Sequence, residues 1–298
     1  MRPRVLILGA TGMLGHTLMR EFDAAKSFVV YGTARRIAPP ANNFPEHLLA
    51  RMFTDVDARN FEEIREIIKR LTPEIVVNCI GVIKQDPAVE DHANTIALNS
   101  LLPHLLAEEC QRRNARLIHI STDCVFSGKS GNYRETDTPD PIDLYGRSKL
   151  LGEVAGPRAL TLRTSMIGHE LRGHRSLVDW FLAQTGAVNG YTRAIYSGVT
   201  TVELARVLIS VILPRDTMSG LFHLAAEPIS KYQLLSTIAQ EYRWSGKVVP
   251  FGGFVCDRSL SAESFFVETG YRPPSWPEMV ANMHRSATTH RSQSGPVC

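Results

Sequence analysis

Tyr145-Gly146-Arg147-Ser148-Lys149 sets a phenol and an amine four residues apart, a spacing that puts both on one helix face. Upstream, Ile118-His119-Ile120-Ser121-Thr122-Asp123-Cys124-Val125-Phe126 is an apolar run that ends in hydroxyl residues, and Pro139 and Pro141 precede the tyrosine. Near the N-terminus, Gly9-Ala10-Thr11-Gly12-Met13-Leu14-Gly15 follows Val5-Leu6-Ile7-Leu8 without a break. A hydroxyl, a phenol and an ammonium are groups of general acid–base chemistry. A glycine loop between a strand and a helix is a seat for phosphate.

The glycines have a steric reason. A side chain at the tight turn would keep the backbone away from a pyrophosphate, and the last glycine lets helix and strand pack closely. Leu14, Leu18 and Phe22 recur as one face of the helix that the loop opens. The loop is therefore expected to bind a dinucleotide through Gly9, Thr11, Gly12, Met13, Leu14 and Gly15. The second strand chooses between cofactors. An NAD site usually carries an acid there for the ribose hydroxyls, whereas this chain reads Tyr31-Gly32-Thr33-Ala34-Arg35-Arg36. Arg35 and Arg36 suit a 2′-phosphate, so NADP(H) is expected, with NAD(H) the alternative and two solvated loop arginines the bland reading. Asp55 and Val56, just after the third strand, are expected to border the adenine.

The elements that must position these groups alternate. Strand-like runs occur at Val5–Leu8, Phe28–Tyr31, Met52–Thr54, Ile75–Ile80, Leu117–Ile120 and Leu160–Leu162. Between them lie helical patterns, one carrying Phe61, Ile64, Ile68 and Leu71 on a single face and a longer one from about residue 88 to 113. Solid apolar strands are buried on both sides, as in a parallel sheet between helix layers. The expected class is α/β, a Rossmann-type doubly wound parallel sheet with a smaller α/β substrate lobe on its C-terminal side. Residues 1–165 form the cofactor domain, with a soft boundary because later elements interleave. Residues 166–285 form the lobe, with helices at Ser176–Gln184, Thr201–Ile212 and Ser230–Tyr242. Residues 286–298, rich in Ser, Thr and His, read as a disordered tail.

Composition narrows the class of partner. The chain of 298 residues has 44% hydrophobic and 21% charged residues and a formal net charge of +3, too little to argue for nucleic acid. Arg35-Arg36 and Arg112-Arg113 are isolated pairs. No apolar stretch approaches the ~20 residues of a spanning helix, and the N-terminus reads as a first strand rather than a secretory signal. The 5 cysteines include no C-x-x-C pair, which speaks against a disulfide framework or a metal site and for a reducing cytoplasm. A small-molecule substrate is expected, with a homodimer left open.

On these motifs the chain resembles the extended short-chain dehydrogenase/reductase superfamily, and within it the dTDP-4-dehydrorhamnose reductase family, over about residues 4–285. The resemblance rests on Gly9–Gly15, Val77-Asn78-Cys79, Asn99, Ser121–Gly128, Leu144–Glu153, Leu162-Arg163-Thr164-Ser165 and Gly220–Leu224. It implies reduction of a 4-keto group on a nucleotide-linked deoxysugar by NAD(P)H. It also implies roles. Tyr145 donates the proton to the developing alkoxide, and because a free phenol has a pKa of ~10 it needs a cationic neighbour. Lys149 supplies that charge and holds the nicotinamide ribose. Thr122 hydrogen-bonds the carbonyl oxygen, with Ser121 a neighbouring hydroxyl able to share the task. Cys79, Ile80, Gly81 and Asn99 join Tyr145 and Lys149 around the cofactor, and Asn99 is the family's structural asparagine near the lysine. Lys84, Asp123 and Arg193 join Thr122 at the substrate, with Arg172 and Arg175 as further cations for its diphosphate.

The chain departs from the reductase pattern at Ile80–Gln85, at Met166 and across Gly186–Ser197, where the sugar is read. An epimerase of the same fold stays open, as does a non-catalytic NADP-binding regulatory subunit. A 4,6-dehydratase is disfavoured, because Thr122 is followed by Asp123-Cys124 and the Asp-Glu pair it would need is missing.

Overall fold

The computed structural model describes residues 2–37, 44–84 and 87–293. Its first half runs β1 (Arg4–Leu8), α1 (Met13–Ala25), β2 (Val29–Thr33), α2 (Glu46–Leu49), β3 (Met52–Phe53), α3 (Phe61–Leu71), β4 (Ile75–Asn78), α4 (His92–Ile96), α5 (Leu102–Arg112), β5 (Arg116–Ser121), α6 (Leu144–Leu151) and β6 (Ala159–Arg163). The second half runs β7 (Met166–Ile167), α7 (Leu177–Leu182), β8 (Ala187–Tyr196), β9 (Val199–Thr200), α8 (Thr201–Val207), β10 (Gly220–His223), β11 (Ile229–Ser230), α9 (Lys231–Glu241), β12 (Lys247–Asp257), α10 (Glu263–Thr269) and α11 (Trp276–Gln293).

The main sheet has the order β10-β6-β5-β4-β1-β2-β3, with every neighbouring pair parallel. Strand side chains alternate between faces, and each face meets its own helix layer. Val5, Ile7, Val77 and Ile118 pack with Leu14, Leu18 and Phe22 of α1 and with Leu204, Met279 and Met283. Leu6, Leu8, Val76 and Leu117 pack with Ile64 and Ile68 of α3 and Leu102 and Leu106 of α5. The expected doubly wound sheet is thus the observed one. Its chain reversal lies between β1 and β4, beside the glycine loop, where such sheets bind ligands.

The helical stretch expected from about 88 to 113 is observed, with one irregularity: α4 passes through a π-helical stretch, Ala97–Leu101, into α5. That wider turn holds Asn99 fully buried. The stretch Gly186–Ser197 is the ten-residue strand β8, which pairs with β11 and β12 in a second sheet. Gly190 is needed where Tyr232 of α9 crosses, since a β-carbon there would lie 2.8 Å from the Tyr232 Cα. Of the tail expected over 286–298, residues 286–293 continue α11, and residues 294–298 lie outside the described residues. Met279, Val280 and Met283 bury its inner face, and the Ser286 hydroxyl donates to Glu21 Oε1 at 3.1 Å.

Candidate active site

The glycine loop closes on itself. Gly9 takes a left-handed conformation, φ 79°, its N–H donates to Thr33 Oγ1 at 3.3 Å and the Ala10 N–H to the Thr33 carbonyl at 2.8 Å. A side chain on Gly15 would run into the Gly9 carbonyl and the Ala10 Cα, so α1 rests backbone to backbone on the loop. Gly12 caps α1 without a side chain, and the first turn carries no acid. The free N–H groups and positive end of a 13-residue helix therefore face the loop. This cradle, filled by any side chain larger than hydrogen, fits a dinucleotide pyrophosphate.

Around it stand the other expected cofactor neighbours. Arg35 and Arg36 follow β2 and are exposed; Arg35 lies near enough to Asp57 for its charge to be felt there. The Val56 N–H donates to the Ala34 carbonyl at 3.2 Å, joining the loop after β3 to the one after β2. Asp55 is exposed in a left-handed turn, φ 59°. Beyond β4, a β-carbon on Gly9 would sit 3.1 Å from Ile80 and 3.4 Å from the Cys79 backbone, so Cys79 and Ile80 border the cradle, while Gly81 lies against Asn99. Asn99 pins that segment: its Oδ1 accepts the Val82 N–H at 2.8 Å and its Nδ2 donates to the Val82 carbonyl at 3.0 Å and to Ser148 Oγ at 3.1 Å. Asn99 thus ties the β4 loop to α6, the structural task that the resemblance implies for it.

Thr122, Tyr145 and Lys149 converge at the carboxyl end of β5. Asp143 caps α6 by accepting the Gly146 N–H at 2.8 Å. A side chain on Gly146 would strike the Cys124 carbonyl and come within 2.9 Å of Pro141. The glycine after the tyrosine is therefore what lets α6 lie against the turn that follows Thr122. Across that contact the Thr122 hydroxyl lies near enough to the Tyr145 phenol to pull its pKa down. Thr122 Oγ1 also accepts the Cys124 N–H at 3.1 Å and donates to Asp123 Oδ1 at 3.2 Å. Burial raises the Tyr145 pKa, reinforced by Cys124, Asp123 and Asp143, while Thr122 opposes it. Lys149, buried on the same helix face, donates to the Ile120 carbonyl at 2.6 Å. Burial pulls its pKa down to about 8, with Glu153 pulling the other way. Burial also pushes the Cys79 and Cys124 thiols up to about 12, so neither is a thiolate.

Ser121 is not a second catalytic hydroxyl: it donates to Glu153 Oε1 at 2.7 Å and faces away from Thr122. Lys84 pairs with Asp143 at 2.7 Å, which sets it on the cap of the tyrosine helix. Arg193 lies on the outward face of β8 and is exposed, as are Arg172 and Arg175.

Two cations that no cofactor or catalytic motif marks, Lys231 and Arg258, lie near enough to Asp123 to feel its charge. Lys231 opens α9, its ammonium 4.9 Å from the Tyr196 ring centre. Burial lowers its pKa and Asp123 opposes this. Arg258, just after β12, donates through Nε to the Phe126 carbonyl at 2.9 Å and through Nη1 to Cys124 Sγ at 3.7 Å. The one signal for Lys231 was the Ser230/Gln233 capping box that starts its helix; for Arg258 there was none, since only the β8–β12 pairing brings it to Phe126. Chemically, the site offers a hydroxyl pair able to bind and protonate a carbonyl oxygen, with two cations beside it.

A family model described as "RmlD substrate binding domain" matches residues 2–253. Among relatives, the dTDP-4-dehydrorhamnose reductase of Aggregatibacter actinomycetemcomitans is 29% identical over 80% of this chain and 79% of its own. Methionine adenosyltransferase 2 subunit beta of Bos taurus is 36% identical over 51% of this chain, a match spanning only 42% of that subunit. Among solved structures, the dTDP-4-dehydrorhamnose reductase of Bacillus anthracis in complex with NADP superposes with a TM-score of 0.77 at 21% identity. That superposition covers 96% of this chain and 100% of that one and is a likeness of fold.

Proposed function

This chain belongs to the RmlD substrate binding domain family, and from that premise we propose that it is an NADPH-dependent reductase of a 4-keto nucleotide-linked deoxysugar, acting in the cytoplasm. The observation that carries the reading is the convergence of Thr122, at the end of β5, with Tyr145 and buried Lys149, one turn apart on α6, where Gly146 lets that helix lie against the Thr122 turn. The cofactor would lie with its pyrophosphate on Gly9–Gly15 and its nicotinamide end near Cys79–Gly81 and Lys149, and it supplies a hydride. Thr122 holds the substrate carbonyl oxygen by hydrogen bonding, and Tyr145 gives its phenolic proton to that oxygen as negative charge develops there. Lys149 offsets the charge left on the phenolate. Lys231 and Arg258 supply N–H donors and positive field for the sugar nucleotide. Arg35 and Arg36, with no acid after β2, favour NADPH over NADH.

The test is NAD(P)H oxidation against a panel of 4-keto nucleotide sugars. Turnover of at least one of them with NADPH is expected, and absence of turnover on every member would overturn the reading. The similarity to methionine adenosyltransferase 2 subunit beta keeps a regulatory role as the second reading. A stoichiometric complex with a partner enzyme and no sugar-nucleotide turnover would select it. A tightly held, self-regenerating dinucleotide in the purified protein would select an epimerase instead.

A further inference from the structure

We propose that Glu153 is a positioning residue for the reduction, the fixed counter-charge that keeps Lys149 cationic, and that Arg163 meters how much of that charge the lysine feels. This rests on the assignment of Lys149 to the reaction above.

The geometry comes from one strand end. The Lys149 ammonium is held by the carbonyl of Ile120, at 2.6 Å, and the Glu153 carboxylate by the hydroxyl of the next residue, Ser121, at 2.7 Å. The two side chains leave the same helix end four residues apart and meet adjacent residues of β5. Gly152 between them lets the end of α6 lie against the π-helical stretch, because any side chain there would run into the Asn99 carbonyl. Behind Glu153, Arg163 donates to Oε1 from Nε at 2.8 Å and to Oε2 from Nη2 at 2.7 Å. Its guanidinium lies 5.2 Å from the Phe126 ring centre and 3.3 Å from His223 Nε2. Both partners are buried, with side chains 4% and 11% exposed.

The other groups facing Lys149 carry no charge to set against its own. Cys79, beyond β4, is a neutral thiol. Tyr145 on the same helix is a neutral phenol. His119 on β5 has its pKa lowered by burial and then by Lys149, so it is a neutral imidazole. Asn78 Oδ1 accepts the Ile80 N–H, so its Nδ2 donates to His119 Nδ1 and leaves that ring's proton on Nε2. Glu153 is thus the one counter-charge to Lys149 among these described residues. Unshared, it would hold the lysine firmly protonated; locked bidentate on Arg163, it gives only part of its field. The arrangement poises an ammonium whose pKa burial pulls down to about 8 against the opposing field of Glu153.

Two variants test this with opposite expected signs. NADPH affinity is measured against pH by cofactor fluorescence, a readout of Lys149 charge that needs no turnover, and the kcat profile is recorded beside it. Glu153→Gln should move the basic midpoint down by about one to three pH units. Arg163→Gln should move it up, because Glu153 then acts unshared. Each variant breaks a buried pair and lowers stability, so either one alone, if folded, reads the sign. Midpoints that stay at the wild-type pH, or that move in the same direction, overturn the proposal. A wild-type protein that binds NADPH with a basic midpoint but turns over no sugar overturns the reductase assignment and leaves this test standing.

Discussion

The Tyr145 phenol stands beside the Thr122 hydroxyl, near enough for its pKa to be lowered by it, in a contact of α6 with the Thr122 turn that has no room for a side chain at residue 146. A strand end and a helix start are thereby locked into one proton-transfer unit. Burial keeps the phenol protonated, so in the resting site it is the donor rather than the base.

Replacing that donor separates chemistry from binding. Tyr145→Phe keeps the ring and its packing and removes the proton, so kcat should fall ~10²–10⁴-fold while NADPH affinity stays near wild type. Stopped-flow reduction and cofactor titration check this, and a variant retaining most of the wild-type rate would refute the assignment.

Gly146→Ala should act at a distance from both reacting groups. Its new methyl meets the Cys124 carbonyl, which forces α6 away from the Thr122 turn. A misplacement near 1 Å costs about 10²-fold in rate, so kcat should drop on that order with the fold and cofactor affinity retained. Circular dichroism with steady-state kinetics decides it; unchanged kcat would mean the contact is not what sets the geometry.

The substrate's anionic part is assigned to the cations beside Asp123. Lys231→Met should raise KM for the sugar nucleotide by ~10–100-fold, the loss of a charged hydrogen bond worth about 1.5–3 kcal/mol, and leave KM for NADPH alone. Arg193→Ala, on the outward face of β8, should change neither. The reverse pattern would return recognition to the exposed arginines.

Cofactor choice is tested at the end of β2. Arg35→Ala should weaken NADPH by about 1.5–3 kcal/mol and leave NADH unchanged. Equal NADH and NADPH affinities in the wild-type protein, read by isothermal titration, would remove Arg35 and Arg36 from the 2′-phosphate.

What the sequence made legible follows from distance along the chain. The glycine loop, the i, i+4 pair Tyr145/Lys149 and the Ser121-Thr122 strand end are local patterns, and the parallel sheet follows from solid apolar strands. Lys231 and Arg258 enter the cleft through pairings of β8 with β11 and β12, contacts between segments more than 30 residues apart that leave no periodic mark. Ser121 was misjudged because strand alternation turns its side chain away from Thr122, toward a Glu153 that no motif links to it. Residues 286–293 looked disordered because Ser, Thr and His hide a helix whose buried face, Met279, Val280 and Met283, lies earlier in the same element.

One strand bears on how relatives of this protein can be recombined. Gly220–His223 lies deep in the second half of the chain yet forms the outermost strand of the cofactor sheet, paired residue for residue with Leu160–Arg163. A graft that exchanges everything after residue 165 therefore carries off a strand of the host's nucleotide-binding half. To leave that half whole, the transplant must be cut in two pieces on either side of residues 220–223.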